Sequence, residues 1–153
     1  MSDHSHIQPH IMIIEARFYT EIGEHLVKGA VEALEEAGAS YEHFTVPGAL
    51  EIPVAIKLAS TRATARPFDA YVALGCVIRG ETSHYDVVAG ESARGLMDLA
   101  LRESLCIGNG ILTCETMGQA LERAHPKKKN KGRAAAQAAL SLWMLGDQFR
   151  TRR

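Results

Sequence analysis

Apolar and polar positions follow two rhythms along this chain. HIMIIEA (10–16) and DAYVALGCVI (69–78) are nearly unbroken apolar runs, the pattern of strands buried on both faces. YEHFTV (41–46) alternates like a strand, and CIGNGILTC (106–114) supplies a fourth. Between them the period becomes helical. EIGEHLVKGAVEALEEAG (21–38) places Ile22, Leu26, Val27, Ala30, Val31 and Leu34 on one face and stops at Gly38, a common C-terminal signal. PGALEIP breaks the chain before a short helix, VAIKLAST (54–61), and a long helix is predicted from about Thr82 to Ser104. MGQALERA (117–124) and AAAQAALSLWMLGDQF (134–149) complete the helices. Strands alternating with helices predict an α/β fold, a three-layer α/β/α sandwich around a four-stranded parallel sheet. In such a sheet ligands bind at the carboxyl ends of the strands.

Composition narrows the classes. The chain has 153 residues, a net charge of −1 and ordinary apolar and charged fractions. One domain is therefore expected, with no general electrostatic pull toward nucleic acid or membrane. The first ten residues, MSDHSHIQPH, are polar and lack the apolar core of a signal peptide; they are expected to form a flexible tail on a cytoplasmic protein. Cys76, Cys106 and Cys114 have no zinc or redox spacing and are expected to be small buried residues. His4, His6 and His10 could chelate a metal, but no cysteine or carboxylate stands at ligand spacing, so the tail reading is preferred.

The strand ends carry the candidate chemistry. After the third strand the chain reads VIRGETSHYD (77–86). A helix starting near Thr82 would offer unpaired N–H groups and partial positive charge to an anion, with Gly80 permitting close approach. His84 would lie in that first turn, and its ordinary pKa suits proton transfer near neutrality. Capping alone would also account for Thr82 and Ser83. Phe18 reads either as core or as an exposed aromatic for stacking. Glu51 reads either as a general base or as a first-turn acid. Arg123 closes a short helix and could present a bidentate fork to phosphate. Lys127 to Lys129 read as a solvated loop. Gly108-Asn109-Gly110 marks a bulge or a close approach of ligand to backbone.

Taken together, EARFY, VPGALEIP, GCVIRGETSHYD, GNGILTCET, ALERA and NKG resemble, in order and spacing, the 6,7-dimethyl-8-ribityllumazine synthase family, from about residue 11 to 150. The resemblance implies a flavodoxin-like fold and the penultimate step of riboflavin biosynthesis. In that step 5-amino-6-(D-ribitylamino)uracil condenses with 3,4-dihydroxy-2-butanone 4-phosphate, without metal or organic cofactor. It implies that Phe18 stacks on the pyrimidine, and that Ala49, Leu50 and Glu51 hold the ribityl amine. Cys76, Val77 and Ile78 would read the pyrimidine edge. Glu81 and Thr82 would offer N–H groups to phosphate, Arg123 would neutralise it with Lys131 as a further candidate, and His84 would shuttle protons. Many members carry phenylalanine where Leu50 and Asn109 stand here; Asn109 cannot stack but could hydrogen-bond to the heterocycle. Members form pentamers with sites between subunits, and some stack into decamers or build 60-subunit shells. The lysine-rich loop before NKG favours a free pentamer.

Overall fold

A computed structural model of the protein describes residues 8–151. Nine elements alternate along it: β1 (His10–Ala16), α1 (Thr20–Glu36), β2 (Ser40–Val46), α2 (Glu51–Ser60), β3 (Ala70–Ile78), α3 (His84–Glu103), β4 (Ile107–Cys114), α4 (Met117–Ala124) and α5 (Lys131–Thr151). All strand pairs are parallel, in the order β2-β1-β3-β4. This is the flavodoxin-like three-layer sandwich that the alternation predicts. β1 and β3 are central, which is why their sequences are apolar on both faces. β2 and β4 are the edges, and their polar positions face outward.

Each face of the sheet has its own core. Ile11, Ile13, Val72 and Leu74 meet Ile22, Leu26 and Leu34 of α1 together with the alanines of α4 and α5. Met12, Ile14 and Ala73 meet Ile52 and Ile56 of α2 and Leu96 of α3. Each fully buried Ile or Leu contributes about 1.5–3 kcal/mol relative to exposure. α5 approaches so closely that a Cβ on Gly108 would stand 1.8 Å from the Ala135 carbonyl oxygen. The glycines around Asn109 therefore serve helix packing. The register of β3 with β4 runs unbroken from Tyr71↔Ile107 to Ile78↔Cys114, so no bulge accounts for them.

Several boundaries shift for identifiable reasons. α2 starts at Glu51, inside the predicted break, because Pro53 falls in its first turn, where a missing N–H costs nothing. α3 starts at His84, two residues later than predicted, which leaves Glu81 and Thr82 in the preceding loop. α5 starts three residues early, after Asn130 turns the chain at φ 47°. Cys114 is buried as expected, whereas Cys76 and Cys106 are only partly so. His10 does not belong to a tail: it opens β1, with Pro9 buried beside it. Its ring meets Glu42 at 2.6 Å and Ser40 at 2.7 Å, so it serves as a structural hydrogen-bonding group. His4, His6 and the rest of residues 1–7 lie outside the described residues. Among those described, no group of three or more metal-ligating side chains is positioned to hold an ion. No helix among them is long and apolar enough to cross a membrane.

Candidate active site

Three successive strand ends converge on one cavity. The β1–α1 turn supplies Phe18 and Tyr19, the β2–α2 turn supplies Pro47 to Leu50, and β3 ends there with Cys76, Val77 and Ile78. Glu51, at the start of α2, and His84, at the start of α3, complete it, and Val88 closes the wall one helical turn beyond His84. The volume is about 370 Å³, within the range of small-molecule sites. Ala49 is buried, Leu50 stands at the rim, and Phe18 is 74% exposed. A phenyl ring left that open by its own chain is available as a stacking surface, and among the described residues its ring contact is Tyr19, edge to face at 5.0 Å. Burial raises the Tyr19 hydroxyl pKa, with Cys76 adding to it. Burial, followed by the neighbouring Cys114, pushes the Cys76 thiol up to about 12. Cys76 is therefore a neutral wall and not a nucleophile near neutral pH.

His84 stands at the N-terminus of α3, where its backbone N–H donates to the Thr82 hydroxyl at 3.3 Å. Thr82 thus does cap, although from the loop. Ser83, at the cap position, makes no side-chain cap bond. The backbone N–H groups of Glu81 and Thr82 have no protein acceptor among the described residues, close to the positive end of α3. No side chain comes within 4 Å of where a Cβ on Gly80 would stand, so the chain itself does not require glycine there.

The remaining predicted residues line a different cavity. Asn109, Arg123 and Lys131 border a space of about 320 Å³ between the β4 edge and the first turns of α5, together with Thr113 and Ala134. Arg123 sits in the last turn of α4, where a cation suits the dipole, and donates to the Gln119 carbonyl at 3.2 Å. Neither Arg123 nor Lys131 has a carboxylate partner among the described residues. Asn109 directs its side-chain oxygen to the Ile111 N–H at 2.9 Å. Glu81 and Thr82 line neither cavity. One chain thus holds an apolar, histidine-bearing cavity and, separately, a cationic one.

Residues 8–146 match the family model described as 6,7-dimethyl-8-ribityllumazine synthase. The chain belongs to that family. Among curated relatives carrying that name, the protein of Bartonella bacilliformis is 54% identical over 149 residues, covering 97% of each chain. That of Bartonella tribocorum is 56% identical over 142 residues, covering 93% of each. The Agrobacterium fabrum protein is 56% identical over 137 residues, or 88% of this chain and 93% of its own.

Within this lumazine synthase family member, several neighbours of the site escape a reading of single motifs. Tyr19, Pro47, Gly48 and Val88 line the first cavity; the helical step from His84 to Val88 was the available signal. Arg79 spans two elements, pairing with Glu115 after β4 at 3.0 Å and with Asp86 of α3 at 3.3 Å, its guanidinium 4.3 Å from the Tyr85 ring centre. That tie links the ends of β3 and β4 to the helix bearing His84. Nothing in the sequence pairs these charges, because their partners lie 7 and 36 residues away.

Proposed function

We propose that the protein condenses 5-amino-6-(D-ribitylamino)uracil with 3,4-dihydroxy-2-butanone 4-phosphate to 6,7-dimethyl-8-ribityllumazine, releasing phosphate and water. The observation that carries this reading is the gathering of the EARFY, PGALEIP and VIRGETSH segments around a single cavity in a chain of this family. Phe18 stacks on the pyrimidine, Glu51 accepts from ribityl hydroxyls beside Ala49 and Leu50, and Cys76, Val77 and Ile78 border the pyrimidine edge. The unpaired N–H groups of Glu81 and Thr82 take the phosphate, and Arg123 with Lys131 neutralises it.

The chemistry follows from those positions. The uracil amine attacks the ketone, and loss of water gives an imine. Phosphate then leaves by elimination, and the enol that remains tautomerises to a ketone. The ribitylamine nitrogen closes the second ring on that carbonyl, with loss of a further water. Each stage moves a proton, and His84 at the cavity wall serves both directions; such transfer is worth about 10²- to 10⁴-fold. Holding two reactive molecules together supplies much of the rest. The residues needed are the protein's own, with no cofactor in the scheme.

The same proposal makes the working unit a cytoplasmic homopentamer, with each site formed between neighbours. Its support is the separation of the two half-sites within one chain, together with exposed apolar side chains such as Val54, Leu58, Met97, Leu101, Leu142 and Phe149, which a free monomer would leave in water. Asn109 then approaches the heterocycle from the adjacent subunit. The direct test mixes both substrates with purified protein and follows lumazine fluorescence and phosphate release together. Equal rates above the uncatalysed background are expected; binding of lumazine without release of phosphate would contradict the proposal.

A further inference from the structure

Glu15 is a charge that the proposed chemistry does not use. It lies in β1 with its side chain 1% exposed, on the sheet face that also carries Ile11 and Ile13. A carboxylate cannot remain ionised in such a place without partners. Arg17 supplies one, its Nε and Nη2 donating to the two carboxylate oxygens, the second at 3.1 Å. His43 of the edge strand supplies the other, its Nε2 3.1 Å from Oε2.

What distinguishes this cluster is the position of Arg17. It directly precedes Phe18, in the three-residue turn between β1 and α1 that presents the open ring. The guanidinium is also seated from above. A Cβ on Gly23, in α1, would stand 2.9 Å from Arg17 Nε and 3.1 Å from its Cγ. The bare backbone at Gly23 makes the slot in which Arg17 lies, and Glu15 is its floor. A ring standing mostly in solvent has little packing of its own to set its plane, so its orientation depends on the backbone that carries it.

Resting on the stacking role proposed for Phe18, we infer that Glu15 is a positioning residue, which through Arg17 fixes the β1–α1 turn and so the plane that Phe18 offers to the substrate heterocycle. Its contribution falls on the ribitylaminouracil and not on the butanone phosphate, whose subsite is built from Glu81, Thr82 and Arg123.

Two variants reach this device by different routes. Glu15→Gln keeps the shape and removes the charge; Gly23→Ala crowds Arg17 and leaves every charge in place. Affinity for 6,7-dimethyl-8-ribityllumazine is read by fluorescence titration, and KM is read for each substrate. Each variant is expected to weaken lumazine binding about 5-fold, the scale of one aromatic contact, while the KM for the butanone phosphate stays within about twofold. In a Phe18→Ala background the Glu15→Gln loss should vanish, since coupled residues do not add. A rise in both KM values, additive losses with Phe18→Ala, or unchanged lumazine affinity in Gly23→Ala would overturn the inference. Because affinity is measured without turnover, a wild-type protein that bound lumazine but made none would overturn the proposed function alone.

Discussion

The two ends of the sheet treat charge differently. At the amino ends of the strands, every prominent charge is matched. Arg62 grips Glu42 through two nitrogens, at 3.2 and 2.7 Å, and lies over the Phe68 ring at 3.8 Å. His10 stacks on Phe68, ring centres 5.3 Å apart, and takes the same carboxylate. At the carboxyl ends Arg17 and Arg79 are paired, but Glu51, Glu81, His84, Arg123 and Lys131 have no ion-pair partner among the described residues. The first end is finished by its own residues, while the second is where the proposed function puts the substrates. The pairs at the amino ends should therefore govern stability, and the unpaired groups at the carboxyl ends activity.

The largest expected effect is at His84. His84→Ala should lower kcat by about 10²- to 10⁴-fold, the usual share of a positioned proton shuttle, and leave the melting temperature unchanged because the side chain is exposed. Steady-state lumazine formation together with a thermal melt checks both halves. Next comes Arg123→Ala. Losing a charge-assisted contact should raise the KM for the butanone phosphate about 10- to 100-fold with little change in the KM for the ribitylaminouracil, and added inorganic phosphate should inhibit this variant less than the wild type.

The smallest effect should come from the opposite end and appear only in stability. Glu42→Gln should cost on the order of 1 kcal/mol, the scale for an exposed ion pair, with kcat and both KM values unchanged. Hydrogen bonds from Arg62 and then from His10 hold the Glu42 carboxyl down from 4.5 to about 2. A depressed acid adds stability above its unfolded pKa and loses it as pH falls through the folded one. The wild-type melting temperature should thus fall between pH 4.5 and about 2 more steeply than that of Glu42→Gln. Parallel curves would show that the pair does not stabilise the fold.

Much of this was legible along the chain. The bounds of β1 and α4 are those the pattern predicts, because each is set by a clean change of hydrophobic period. Strand ends in a parallel sheet then locate the cavity, so Phe18, Glu51 and His84 could be found without coordinates. What stayed hidden was long-range. Gly108 looked like a ligand contact because its true neighbour, Ala135, belongs to a helix 27 residues on. Glu15 looked like an ordinary strand residue until folding brought Arg17 and His43 to it. The division of the site was hidden too, since Arg123 and Lys131 stand in the same chain order as residues that converge and yet line a separate cavity.

That division is the central claim, and subunit mixing tests it most directly. His84→Ala and Arg123→Ala chains, each nearly inactive alone when the butanone phosphate is kept well below the variant's KM, are co-expressed with different tags and the mixed oligomers are isolated. A site shared between neighbours predicts recovery to about a quarter of wild-type activity, since random pairing joins an intact His84 half to an intact Arg123 half at about one interface in four. Mixed oligomers no more active than either variant alone would contradict a shared site and place the whole of the chemistry within a single chain.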